Sequence, residues 1–360
     1  MQKFTALPTQ VHTMYAQLLD QCREARFVDD FPATGSFKKV TVKGRDYWYY
    51  QSSKQEQGKG YQKQKYVGPD SEKIRALIER HARLKDEYGQ RRQIVRAFKQ
   101  LGVITPSDIA GDLIERLAAL GTFRMRACLV GTFAFQVYEG LLGVKFPREY
   151  AYTQDLDIAQ FREVSIAVAA TDKVPSLLEA LRTIDPSFEP TSSLERSDPP
   201  CRYKNRDGYV VDILVPNRGA DKAAAEPLPA LGTAGQLLRY LDFLIYQPVE
   251  AVALHGGGVL VNVPEPSRFA VHKLIVSRVR PEVPKRAKDL WQASCLLTVQ
   301  LRQDRHGLMD AFAEALARGP KWIQNVRKGL ESLDADLREE LRTVLETPVS
   351  KTGLKIGSSG

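Results

Sequence analysis

The sequence predicts an α+β fold: a mixed β-sheet core with flanking helices, a basic N-terminal region of β-meander plus helix, and a C-terminal helical module. Three observations predict it. Between about residues 125 and 215, short apolar strand candidates alternate with helix candidates. Residues 36 to 68 instead follow a strand pattern and are rich in Lys and Tyr. From Val283 to the mid-340s the periodicity is helical throughout. The expected organisation is a basic region over 1–100, a core over 101–265, a helical module over 266–346 and a loose tail over 347–360.

The elements follow in order. Val11, Met14, Leu18 and Leu19 recur at helical spacing, and the run Phe31-Pro32-Ala33-Thr34-Gly35 breaks that first helix. Phe37–Val42, Asp46–Tyr50 and Tyr61–Val67, separated by Lys43-Gly44 and Gly58-Lys59-Gly60, make a three-stranded meander. Asp70-Ser71 caps a long charged helix to about residue 100, with Ile74, Leu77, Ile78 and Leu84 as its apolar stripe. Thr105-Pro106-Ser107-Asp108 opens a helix through Leu113, Leu117 and Leu120, closed by Gly121.

An apolar strand, Ala127–Val130, then breaks at Gly131-Thr132 into a helix over Phe133–Leu142. A short strand carries Asp155 and Asp157. Val164–Ala170 reads as strand or buried loop, and Pro175–Ile184 as a helix. Arg202–Arg206 and Tyr209–Val215 flank Asp207-Gly208, a hairpin signal. Residues 216–230 read as a loop, followed by a helix around Gly235–Ile245. Val249–Leu254 and Val259–Val263 form a hairpin across His255-Gly256-Gly257-Gly258, and Pro266 starts a helix carrying His272 and Lys273. Helices over Lys285–Leu301, Gly307–Ala317, Trp322–Leu333 and Ala335–Leu345 complete the chain. The stretch Gly140–Tyr152 gives no assignable element.

Composition narrows the function. Hydrophobic residues make up 43% and charged residues 26%, a globular balance. The formal charge of +9 favours a polyanionic partner, nucleic acid or nucleotide. No run reaches transmembrane length and the N-terminus lacks an apolar signal region, so a cytoplasmic protein with no membrane partner is expected. Cys22, Cys128, Cys201 and Cys295 are far apart, which suits reduced thiols. Zinc-ligand spacing, a P-loop, a dinucleotide fingerprint and a Gly-x-Ser-x-Gly elbow are all missing from the sequence.

One constellation carries chemistry. Residues i and i+2 of a strand share a face, so Asp155 and Asp157 point one way while Leu156 and Ile158 point into a core. Paired carboxylates suit divalent cations that bridge a triphosphate. The Gly131-Thr132 turn opens a helix whose free amides and hydroxyl suit phosphate oxygens. Asp212 interrupts an otherwise apolar strand and needs compensation, either as a third metal ligand and proton acceptor or through a partner such as Arg202. In the meander, Lys38, Lys39, Lys43, Arg45, Lys54, Lys59, Lys63 and Lys65 interleave with Tyr47, Trp48, Tyr49, Tyr50, Tyr61 and Tyr66. Such a mixture suits nucleic-acid contact, and equally a solvated sheet whose aromatics pack on the next helix.

Read together, Val130-Gly131-Thr132, Asp155-Leu156-Asp157 and Asp212 resemble the signature of the nucleotidyltransferase-fold superfamily that contains DNA polymerase β. Gly131–Tyr138, Thr153–Asp157 and Val261–Leu274 are similar to a bacterial branch distantly related to abortive-infection and toxin–antitoxin enzymes. Two departures stand out: the gap from Gly131 to Asp155 is longer than in minimal members, and Thr132 stands where Ser or Gly is commoner. The resemblance implies transfer of NMP from an NTP, ATP among the candidates, to an acceptor hydroxyl. It implies Mg²⁺ or Mn²⁺ on Asp155, Asp157 and Asp212, nucleotide contacts from Gly131, Thr132, Lys273 and Lys288, and a later motif at Lys288-Asp289. RNA, including the tRNA 3′ end, is the expected acceptor. A protein hydroxyl in a toxin–antitoxin or phage-defence system, and a non-catalytic nucleic-acid binder, are the alternatives.

Overall fold

Two N-terminal elements come first: β1 (Thr5–Ala6) and α1 (Thr9–Glu24), whose buried Val11, Tyr15, Leu18 and Cys22 lie on one face. The meander is β2 (Ser36–Val42), β3 (Arg45–Glu56) and β4 (Lys59–Pro69), antiparallel throughout. Helices α2 (Glu72–Gln100) and α3 (Asp108–Ala119) begin at Ser71 and Ser107, whose hydroxyls accept from the Ile74 and Ala110 amides. The middle of the chain holds β5 (Cys128–Val130), α4 (Gly131–Leu142), β6 (Val144–Lys145), β7 (Asp155–Ala159), α5 (Arg162–Ala169) and α6 (Leu177–Arg182). Then come β8 (Glu189–Pro190), β9 (Arg202–Lys204), β10 (Val210–Pro216), β11 (Glu226–Leu228), β12 (Thr233–Leu238), α7 (Leu241–Leu244), β13 (Pro248–Ala253) and β14 (Val259–Pro264). The remainder is helical: α8 (Pro266–Val279), α9 (Val283–Gln303), α10 (Arg305–Ala317), α11 (Pro320–Glu331) and α12 (Ala335–Leu345). The structure is a computed structural model that describes residues 3–25, 31, 35–42, 45–56, 59–169, 176–191, 199–217 and 225–346, without the side chains of 42, 52–56, 59–65 and 167–169. The expected tail over 347–360 lies outside the described residues.

The central sheet runs β11-β12-β10-β7-β5. Strands β7, β10 and β12 are parallel, while β5, β9 and β11 pair antiparallel with β7, β10 and β12. The edge of β10 is shared, with β9 along Val210–Asp212 and β12 along Leu214–Pro216. The sheet is thus mixed, and the fold is α+β. Asn262 of β14 donates to the carbonyls of Phe123 and Ala127 and so ties the β13–β14 hairpin to the approach of β5. No helix among the described residues is long and apolar enough to cross a membrane.

Three sequence expectations need correction. Gly235–Ile245 is not one helix: Thr233–Leu238 is a strand because Leu214 and Val215 of β10 offer it a parallel partner, and only Leu241–Leu244 is helical. Sheet pairing outweighs local helix propensity there. Tyr240, at φ 67°, separates the two elements. Val164–Ala170 is neither strand nor buried loop but lies largely in α5, where Ser165 turns inward and its hydroxyl accepts from the Ala230 amide. The loop expected over 216–230 contains β11, with Pro227 on an edge strand where a missing N–H is tolerated.

One continuous core links β5, α4, β7, β10, α8, α9 and α10. A smaller one joins α1 and α2 to the hairpin through Leu18, Phe98, Val252 and Leu254, and the Tyr15 hydroxyl accepts from the Val252 amide. Helix α8 is buried on every side from Pro266 to Ser277, so its polar residues must be compensated. Arg268 does this through Glu314 and the Phe243 carbonyl. The unassigned stretch Gly140–Tyr152 is a packed strap. Phe146 stacks on Phe135, and Gln136 donates to the Ala151 carbonyl. The fully buried Glu139 accepts from the amides of Ile104 and Phe146, each at 2.6 Å, and from Arg148 at 3.0 Å.

Candidate active site

The cleft is built where β5 hands over to α4. Val130 sits opposite Asp157 in the antiparallel β5–β7 register, and Asp157 sits opposite Asp212 in the parallel β7–β10 register. Asp155, two residues before Asp157, shares its face. Register therefore brings Gly131, Asp155, Asp157 and Asp212 to one end of the sheet. Gly131 adopts φ 66°, and a Cβ there would overlap the Asp157 carboxylate. Only glycine allows this backbone path and this approach together. Helix α4 starts at Gly131 without a side-chain cap, so its first amides remain as donors beside the acids.

The acids are not equivalent. Burial, then the neighbouring Asp212 carboxylate and, further down, Asp155, push the Asp157 carboxyl up to about 6; Lys273 and Arg280 act against the rise. Asp212 is buried and already compensated. Arg202, its register partner on β9, donates Nε to Oδ1 at 2.5 Å and a second nitrogen to Oδ2 at 2.8 Å. That bidentate bond in turn raises the guanidinium above its ordinary value. The sequence left two roles open for Asp212, and the pair with Arg202 is the one the side chains adopt here. Among the described residues, the three donors that approach within 4.8 Å of one another are Asp112, Glu115 and His255, not the aspartate trio.

The opposite wall comes from α8 and α9. Lys273, buried in α8, donates to Asp289 of α9 at 2.5 Å, and Arg280 approaches the other Asp289 oxygen at 3.1 Å. The Lys273 ammonium also lies over the Phe269 ring at 5.3 Å. Lys288 is held below the ordinary lysine range by burial and then by Lys273, with Asp155 and Asp289 opposing. His272 is driven down to about 3, chiefly by burial, so a neutral imidazole stands beside Lys273. These walls enclose a cleft of about 820 Å³ that Gly131, Thr132, Asp155, Asp157, Asp212, Lys273 and Lys288 all line. The residues singled out for nucleotide and metal contact thus share one cavity.

The meander residues separate instead. Tyr50 is buried against Phe37 and His81, and Trp48 donates to Asp70 at 2.9 Å. Lys38, Lys39 and Arg45 are all exposed, and Lys39 pairs with Asp46. Lys43, and the side chains of Lys63 and Lys65, lie outside the described residues.

Sequence reasoning did not single out three contributors to the cleft. His272 gave no signal because it has no partner at fixed spacing. Arg280, with Arg278, Lys285 and Arg286, reads from the sequence as a phosphate-binding strip or a solvated face, and nothing there sets it apart. Tyr240 enters the cleft through a left-handed residue that no composition rule flags. The model of a family described as Nucleotidyltransferase matches residues 108–317, from the start of α3 to the end of α10. No curated protein matches the chain.

Proposed function

The chain belongs to the nucleotidyltransferase family, and from that membership and the cleft's geometry we propose a metal-dependent transfer of NMP from an NTP to an acceptor hydroxyl. The observation that carries this reading is the approach of Gly131 to the Asp157 carboxylate, which puts the start of α4 and the acidic face of β7 in one place. Phosphates and divalent cations are the ligand pair that such a junction suits.

Asp155 and Asp157 fit Mg²⁺ or Mn²⁺: they are hard oxygen donors on one strand face, and Asp157 is short of countercharge. Asp212 fits as a third ligand through the lone pairs that the bidentate Arg202 contact leaves, and more fully once Arg202 turns away. When bound, the ions supply charge neutralisation at the triphosphate. Gly131 and Thr132 cradle the β- and γ-phosphates with backbone amides and a hydroxyl. Lys273 and Lys288 offset charge on the departing pyrophosphate, and Lys273 shares its proton donors between phosphate and Asp289. Asp212, once released by Arg202, takes the proton of the attacking hydroxyl. The acceptor proposed is RNA, on the strength of the +9 charge.

The test is incubation with each α-³²P-labelled NTP, Mg²⁺ or Mn²⁺ and total RNA. Label in RNA is expected, lost in an Asp155→Asn/Asp157→Asn variant by at least about 10²-fold. Label on protein would move the acceptor to a protein hydroxyl. No label anywhere, together with no calorimetric NTP–metal binding, would leave a non-catalytic binder and overturn the reading.

A further inference from the structure

The two faces of the N-terminal meander differ in what covers them. The face turned to α2 is covered at Phe37 and Tyr50, with the Lys39–Asp46 pair at its solvent edge. Tyr50 packs on Phe37 and on His81 of α2, and Trp48 bonds to Asp70. The acids there are paired, Asp46 with Lys39 and Asp70 with Arg75. Strand alternation puts Arg45, Tyr47 and Tyr49 of β3 on the other face. Across β2, Lys38 is the register partner of Tyr49 and Val40 of Tyr47; across β4, Tyr66 is the partner of Tyr49. The rings confirm one shared face, with Tyr49 and Tyr66 centroids 5.4 Å apart and Tyr47 and Tyr66 6.3 Å apart.

This second face is open. Tyr66 is 53% exposed, Tyr47 and Tyr49 are partly exposed, and Lys38 and Arg45 are exposed. Among the described side chains it carries cations and aromatics and no carboxylate. The sheet thus sorts its charge: acids go to the face turned to α2 with partners, while unopposed positive charge stays with the tyrosines. A polyanion with flat apolar groups is the chemistry that complements such a surface.

We propose that Tyr47, Tyr49 and Tyr66 form a stacking platform for single-stranded RNA, with Lys38 and Arg45 neutralising its phosphates. The platform deepens the RNA-acceptor reading by supplying a grip for that acceptor. It does not require the cleft to be catalytic, since its binding is read with neither NTP nor divalent metal present.

The experiment is fluorescence anisotropy of a short labelled oligo(U) with the full chain in EDTA. Tyr49→Ala and Tyr66→Ala should each weaken binding by about tenfold, while Tyr49→Phe and Tyr66→Phe, which keep the ring, bind as wild type. Lys38→Ala with Arg45→Ala should lower the slope of log affinity against log salt by roughly 1–2. Lys39→Ala, on the face turned to α2, should leave affinity unchanged. If the alanine variants fail to fold, wild type is photo-crosslinked to 4-thiouridine RNA, and adducts on the Tyr47–Tyr49 and Tyr66 peptides uphold the platform. No binding by wild type, equal binding by the alanine variants, adducts only elsewhere, or duplex RNA bound as tightly as single-stranded would each overturn it. Wild type separates the two readings: normal RNA binding without label transfer counts against the cleft, and label transfer without platform binding counts against the platform.

Discussion

Asp157 in the central sheet and Asp70 beside the meander are shifted in opposite directions. Burial and then Asp212 push Asp157 up to about 6, whereas Arg75 and then Trp48 pull Asp70 down to about 2. At the meander Asp46 pairs with Lys39 of β2 and Asp70 with Arg75 of α2, so charge there holds local geometry. The central sheet stacks acids beside one another and leaves one of them undercompensated, an arrangement that costs stability and suits a cation from outside. Asp212 and Asp289 lie between these extremes, since each sits in the cleft yet is paired, with Arg202 and with Lys273.

The largest effect should come from the paired acid in the cleft wall. Lys273→Met leaves the buried Asp289 with Arg280 alone, at a cost of about 3–5 kcal/mol, read as a lower urea midpoint. Lys273→Met with Asp289→Leu should recover most of that loss while transfer stays abolished. If the single variant is as stable as wild type, the pairing is not structural and the contrast with Asp157 fails.

A smaller effect separates Asp157 by sign. A carboxyl whose folded value is raised from 3.8 to about 6 contributes stability that is full below the unfolded value and lost as pH rises through the folded one. In EDTA, wild-type Tm should therefore rise on acidification from about pH 7 to about pH 4 relative to Asp157→Asn, which lacks that titration. Parallel curves for the two proteins would refute the undercompensated carboxylate.

The smallest effect has the opposite sign. Asp70 contributes stability that is present above 3.8 and lost as pH falls through about 2. Asp70→Asn should lower Tm slightly at neutral pH, with the difference closing toward pH 2 and shrinking in salt, as expected for a surface pair. A difference that persists at acid pH would rule out the ion pair with Arg75 as its source.

The site was legible where local chemistry dictates it. Gly131-Thr132, the Asp-x-Asp pair and the Asp207-Gly208 hairpin each require particular residues, and each lies where expected. Lys273 and Lys288 were reached through resemblance, and the burial of Lys273 follows from α8 being enclosed on all sides, which no periodicity shows. β12 was misread because its strand character comes from β10, not from Gly235–Leu238. In the meander, composition pointed to Tyr47, Trp48, Tyr49, Tyr50, Tyr61 and Tyr66 alike as available aromatics. Tyr50 packs on His81 of α2 and Trp48 bonds to Asp70, while Tyr47, Tyr49 and Tyr66 share the other face, a choice of face that period two alone leaves undecided.

Glu139 gives the strap a timescale. Ile104 and Phe146 belong to neither helix nor strand, yet both amides end on one carboxylate buried in α4. Their hydrogens can exchange with solvent only when that helix end opens, so two loop amides should be among the slow ones, on the clock of the core rather than of the surface. Opening would expose α4 from its far end, the end away from Gly131 and Thr132.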